Sequence, residues 1–249
     1  MADAVLWHIE VSHYNEKARW ALDYKGVPHR RRAPLPGLLH PIVALAKTRQ
    51  PLFPILELDG EKLTDSTQII AALERRYPDP ALYPSDPDER RRALELEDWF
   101  DEEVGPNVRR FLFYQLSLDS ERSAEGLRAI GGSPLPGRAA AGALRTVARR
   151  YGGKRDTVDR AREATRAGYE RIVAETGPSG YLAGEAFSVA DLTAASLLMH
   201  LAEPPEFQYE IPQATPELEE FRQTLPQEGL EWVRRMWREH RGSSAEVAA

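Results

Sequence analysis

Residues 51–66, PLFPILELDGEKLTDS, put a proline directly before an apolar strand pattern and an acid–hydroxyl pair at the head of a helical one. Pro54 has no amide hydrogen to give a sheet, and an X-Pro bond adopts the cis form at little cost. In that form Phe53 would turn outward and offer its backbone N–H and C=O to an extended ligand instead of to another strand. An ordinary trans proline at a strand start is the other reading. Asp65 and Ser66 stand where unsatisfied helix amides attract a carboxylate; the Ser66 hydroxyl adds a donor, and Asp65 serves as cap or receives an ammonium. Backbone pairing at one end of the segment and charge recognition at the other fit a small zwitterionic peptide.

Other chemistries are excluded or disfavoured by composition. The 249 residues include no cysteine, which removes disulfides, thiolate metal sites and catalysis by a thiol of the protein's own. The 6 histidines are scattered without metal-ligand spacing, so no metal site is expected. A net charge of -6 and the lack of a long basic tail argue against nucleic acid. No run of about 18 apolar residues is present, so no membrane span is expected. The N-terminus MADAVLWHIE lacks the basic flank and apolar core of a secretion signal, which points to the cytoplasm.

The elements that must position the segment follow from periodicity. VLWHI at 5–9 reads as a buried strand, and SHYNEKARWALDYKG at 12–26 as a helix capped by Ser12 and ended by Gly26, with Tyr14, Ala18, Ala21 and Leu22 on one face. HRRRA at 29–33 is a weak strand, and 36–49 a short irregular helix around Pro41. FPILEL, the Asp59-Gly60 turn pair and EKL make a hairpin. A helix then carries Ile69, Ile70, Leu73 and Tyr77 on its apolar face. The four prolines of YPDPALYPSDPDE at 77–89 mark a domain boundary, giving domains at 1–80 and 88–249. The second part reads as helical throughout: one long helix over 88–117, a break at GGSPLPG (131–137), a basic helical stretch over 138–175, and a last helix over 226–240. FSVADLTAASLLMHL at 187–201 starts most sharply, with Ser188 and Asp191 at capping-box spacing and Phe187 and Leu192 at the staple positions.

The order of these elements, the pre-strand proline, LTDSTQIIAALERRYP and FSVADLTAASLL together resemble a cytosolic glutathione transferase over about residues 4–115 and 160–240. The resemblance implies an α/β thioredoxin-like domain followed by an all-α domain. It implies a cis Pro54, Phe53 pairing with the cysteinyl part of glutathione, and Asp65 and Ser66 holding the γ-glutamyl end. Ser188 and Asp191 match the family's capping box, which serves folding. Glutathione as co-substrate, a small electrophile as second substrate, a homodimer and a detoxification role are implied in the same way.

In the family, a hydroxyl at the start of the first helix donates a hydrogen bond to the peptide's thiolate, and nearby amides add positive potential. Ser12 takes that position in SHYNEKARWAL, so it is the candidate catalytic residue, although capping alone would also explain it. His13 replaces the family's frequent proline; it could act as a base or contact substrate, or stand exposed without a duty. Tyr14 and Asn15 are competing donors, with Asn15 free to point into the cleft. Contacts to the glycyl carboxylate are expected from His40, Lys47 and Arg49. Arg109, Arg110, Phe113 and Tyr114 could face the electrophile, with Arg110 and Tyr114 chosen as wall residues; rings and arginines suit an aromatic or anionic electrophile. A glutathione-binding or scaffold protein without turnover is the rival function, since fold alone does not establish chemistry.

Overall fold

A computed structural model describes residues 4–34, 40–118, 120–129 and 155–248, with isolated helical positions between 139 and 149. The chain forms β1 (Ala4–Trp7), α1 (His13–Tyr24), β2 (His29–Arg32), α2 (His40–Thr48), β3 (Ile55–Leu58), β4 (Glu61–Leu63) and α3 (Ser66–Arg76). Then come α4 (Pro87–Trp99), a π-turn (Phe100–Val104), α5 (Gly105–Leu116), α6 (Ser120–Ala129), α7 (Arg155–Glu175), α8 (Val189–Ala202), α9 (Pro216–Gln223) and α10 (Gln227–His240). The expected break at 131–137 and most of the basic stretch up to residue 154 lie outside the described residues.

The sheet order is β2-β1-β3-β4, with β1 parallel to β2 and antiparallel to β3. Leu6 pairs with Leu56, and Leu56 with Leu63, so one sheet face is a continuous apolar surface covered by α1 and α3. Strand alternation sends Ile55 to the other face, where it packs with Ala44 of α2 and Phe53. The hairpin turns at Asp59 (φ 50°) and Gly60 (φ 83°), two successive left-handed residues as a type I′ turn requires. The Phe53–Pro54 bond is cis, as is Asp79–Pro80.

The helical part shares one core with the first face of the sheet. Trp20 of α1 stacks on Phe187 at 5.8 Å and tilts against Trp237 of α10 at 4.9 Å. The capping box of α8 forms: Ser188 N and Oγ donate to Asp191 Oδ2 at 2.9 and 2.8 Å, and Leu182 N donates to Oδ1 at 2.8 Å. These bonds fasten the 177–187 loop to the buried helix start.

The single helix expected over 88–117 is instead α4, a π-turn and α5. Gly105 N–H reaches back to Phe100 O, a five-residue spacing that widens the turn, and the Tyr14 hydroxyl donates to the Asp101 carbonyl inside it at 2.6 Å. Gly105 is needed there, because a Cβ would stand 2.8 Å from Tyr14 Cζ.

Ion pairs inside the molecule fasten the two parts together. Arg241, after α10, is buried and bonds Glu16 at 2.6 Å and Asp23 at 2.9 Å; Arg31 and Ala245 N also bond Asp23, at 2.6 and 2.8 Å. Beyond Arg241 the chain returns to the sheet edge, where Val247 N donates to His29 O at 2.9 Å.

Candidate active site

The β1–α1 connection places Ser12 in the lining of a cleft of about 230 Å³ that is also lined by Phe53 and by α5 and α8. Ser12 is the N-cap of α1 in extended conformation (φ -82°, ψ 125°). Its Oγ accepts from Asn15 Nδ2 at 2.7 Å and, more weakly, from Asn15 N at 3.5 Å. Asn15 Oδ1 in turn accepts from Ile9 N at 3.1 Å. Among the described residues the Ser12 hydroxyl donates to no acceptor, so capping and donation to a bound thiolate coexist: the cap uses lone pairs and leaves the proton. Asn15, the competing donor expected from sequence, is 1% exposed and bonds Ser12 through its NH₂ and Ile9 N through its oxygen.

His13 lines the cleft but is not exposed. Its ring packs edge-on against Tyr14 at 4.7 Å and lies 5.9 Å from His200. Burial first, then His200 and Arg109, hold His13 well below the ordinary histidine range, so it is neutral at pH 7 and is not the near-neutral base considered from sequence. Burial also lowers His200, to about 4. Tyr14 sits with its hydroxyl on the π-turn carbonyl, and burial raises its pKa, so it stays a phenol.

At the other end, Asp65 caps α3: Oδ1 accepts from Thr67 N at 2.9 Å and Gln68 N at 3.1 Å. Both bonds use one oxygen, which leaves Oδ2 for a cation. Neighbouring Ser66 is buried, and its hydroxyl has no partner among the described residues. Behind this end, the wholly buried Lys17 of α1 bonds Thr67 Oγ1 at 2.7 Å, Asp101 Oδ1 at 2.8 Å and approaches Glu97 at 3.0 Å. Burial opposes its charge, but Glu97 and Asp101 outweigh that and hold its pKa above the ordinary value. Sequence reasoning missed this lysine. It reads as one more polar residue of α1, and only the meeting of α1, α3 and the π-turn encloses it.

The expected cations divide. His40 is buried with Nε2 2.9 Å from Pro34 O and its ring edge-on to Phe53; burial lowers its pKa, so it supports Phe53 as a neutral ring and is not a charge for a carboxylate. Lys47 is paired with Glu57 at 2.9 Å and lies 3.7 Å from the centroid of Trp7. Arg49 is exposed, at φ 64°, and does not line the cleft. On α5 the cleft is lined by Arg109 and Phe113, not by Arg110 and Tyr114. Arg110 bonds Asn107 at 2.7 Å and Tyr114 packs on the core. Arg109 lies 5.5 Å from the Tyr14 ring centroid, which aims it back toward the start of α1. Among the described residues no cluster of three or more His, Asp or Glu could hold a metal ion, and no helix is long and apolar enough to cross a membrane.

Comparison with known proteins adds ancestry to this geometry. The glutathione S-transferase N-terminal domain model matches residues 6–81, and the C-terminal domain model of the same family matches residues 136–228. The chain therefore belongs to the glutathione S-transferase family, with the thioredoxin-like fold first and the helical fold second. A maleylpyruvate isomerase from Ralstonia sp. is 36% identical over 111 residues, which is 43% of this chain and 51% of that protein. The match thus spans about half the length of that relative. Among solved structures, a beta-etherase from Sphingobium sp. strain SYK-6 superposes with a TM-score of 0.68 at 20% identity over 96% of each chain. A theta class glutathione S-transferase from Xanthomonas axonopodis pv. citri, with glutathione bound, superposes with a TM-score of 0.59 at 20% identity over 100% of this chain and 99% of that one.

Proposed function

We propose that the protein is an enzyme that binds glutathione, lowers the pKa of its thiol and presents the thiolate to a small electrophile. Residues 1–80 would form the glutathione-binding domain, and 88–249 would contribute the electrophile wall. The observation that carries this reading is the Ser12 hydroxyl, with its oxygen held by Asn15 and its proton uncommitted, at the edge of a cleft that Phe53 also lines. The peptide would lie along the Phe53 backbone, with its γ-glutamyl carboxylate at Ser66 and the amides that open α3. Its ammonium would meet Asp65 Oδ2. Ser12 would donate to the sulfur, and Arg109 and Phe113 would face the second substrate, which suits an electrophile with an aromatic or anionic part. A homodimer, a cytoplasmic location and a detoxifying role belong to the same proposal.

The likeness to maleylpyruvate isomerase supports a second reading of the same site, isomerisation of an unsaturated acid. The thiolate would add to the double bond, the adduct would rotate, and the thiolate would leave, so glutathione would be regenerated. Counting glutathione consumed per product formed separates the two: one equivalent for transfer, none for isomerisation.

The test of the shared core is the ultraviolet absorbance of bound thiolate against pH in wild-type and Ser12→Ala protein. One hydrogen bond to a charged group contributes about 1.5–3 kcal/mol, so Ser12→Ala should retain binding and raise the thiol pKa by about one to two units. Equal thiolate in both proteins would reject Ser12 as its main stabiliser. No turnover with halides, epoxides, enones, peroxides or maleylpyruvate would favour a glutathione-binding scaffold.

A further inference from the structure

We propose that Asn15 is a positioning residue that sets the direction of the Ser12 hydroxyl proton. This inference rests on the reading of Ser12 as the thiolate's donor and adds what makes it one. The argument begins at the main chain. Ile9 N–H can only donate, so the Asn15 atom 3.1 Å from it must be the amide oxygen. That settles which way the Asn15 amide faces. Its NH₂ then points at Ser12 Oγ, 2.7 Å away, and an NH₂ can only donate. Ser12 must accept there, and accepts again from Asn15 N at 3.5 Å.

A hydroxyl has two lone pairs and one hydrogen. With the lone pairs engaged from the Asn15 side, the hydrogen points away from Asn15, and Ser12 is partly buried in the cleft lining. Asn15 is 1% exposed, so solvent does not compete for its amide. The result is a one-way relay in which Ile9 N–H donates to Asn15, Asn15 to Ser12, and Ser12 to the sulfur. Each donor is polarised by the one behind it. No bond to Ser12 is made or broken: the glutathione proton leaves to solvent on ionisation, and Ser12 keeps its own. Without the relay a serine N-cap can turn its proton toward a local carbonyl; Ile9 O, already 3.2 Å from Ser12 N, is within the same turn.

The test is a double-mutant cycle read as the pKa of enzyme-bound glutathione thiol by ultraviolet titration. Asn15→Ala removes the relay. Asn15→Asp keeps the Ile9 bond but turns the second atom from donor to acceptor, so Ser12 must direct its proton to it; it is also the variant that retains the packing if Asn15→Ala fails to fold. Each is made with Ser12 present and in the Ser12→Ala background, where only the electrostatic effect of the new carboxylate can remain. Since a full charged hydrogen bond accounts for about one to two units, loss of orientation should raise the thiol pKa by about one unit with Ser12 present, and Asn15→Ala should change nothing further once Ser12 is alanine. For Asn15→Asp the rise should be larger with Ser12 than without it. The inference is overturned if Asn15→Ala leaves the pKa unchanged with Ser12 present, or if both variants act equally in the two backgrounds. If Ser12→Ala alone leaves the pKa unchanged, the failure lies in the reading of Ser12 itself.

Discussion

Gly105→Ala tests how α1 is seated against the helical part. In an ordinary helix the change stabilises by about 1 kcal/mol through backbone propensity. Here the new methyl would stand 2.8 Å from Tyr14 Cζ, closer still to its hydroxyl oxygen, and 3.1 Å from Leu197 Cδ1. Overpacking of this kind costs about 1–3 kcal/mol. Tyr14 cannot yield without giving up its 2.6 Å bond to the Asp101 carbonyl, which costs about 1 kcal/mol more. The balance is a net destabilisation of about 1–3 kcal/mol, opposite in sign to propensity. Urea unfolding midpoints of the wild type, Gly105→Ala, Tyr14→Phe and the double variant measure it. Gly105→Ala should cost less in the Tyr14→Phe background, because the closest atom is gone. A Gly105→Ala protein as stable as wild type, or an unchanged cost beside Tyr14→Phe, would show that Tyr14 does not occupy the π-turn.

Three further outcomes follow from buried charge. Removing Arg241 by alanine takes one of two arginines from each of Glu16 and Asp23, which keep Arg19 and Arg31, and should cost about 1.5–3 kcal/mol in denaturant unfolding, with lysine recovering part of it. Asp191 has its carboxyl raised by burial from 3.8 to about 6, so the folded state binds the proton more tightly. Its stabilising contribution is full below pH 3.8 and is lost as pH rises through about 6, amounting to about 3 kcal/mol; the difference in stability between wild type and Asp191→Asn should fall across that window. His200 has the opposite sign. Lowered from 6.5 to about 4, it contributes stability above pH 6.5 that is lost as pH falls, and His200→Asn should flatten the acid side of the stability profile.

What the sequence made legible is what local chemistry decides. The Asp59-Gly60 turn, the Asp65 cap, the Ser12 cap and the Ser188–Asp191 box each use a residue type whose backbone preference or side-chain reach is satisfied within four residues, and the structure has all of them. The π-turn is only partly legible: Gly105-Pro106 interrupts a continuous helix, since Pro106 has no amide hydrogen to give the preceding turn, but the Tyr14 hydroxyl that holds the Asp101 carbonyl comes from 87 residues away. Lys17, Arg19 and Arg241 are buried with no local signal for it, since a charge is buried only where distant carboxylates converge on it. His40 reads as a cation in the sequence for the same reason: the Pro34 carbonyl and the Phe53 ring that enclose it lie outside its own helix. Of the four α5 candidates, Arg109 and Phe113 line the cleft and Arg110 and Tyr114 do not, a difference of helix phase. Every one of these residues is compatible with a cleft, and periodicity does not say which stripe of α5 faces α1.

The most direct test is a crystal structure of the protein with glutathione. The account predicts the cysteinyl N–H and C=O paired with the Phe53 backbone, the γ-glutamyl carboxylate on Ser66, and the sulfur within hydrogen-bond reach of Ser12 Oγ while Asn15 holds that oxygen from behind. Glutathione bound away from Phe53, or with its sulfur turned from Ser12 toward another donor, would contradict it.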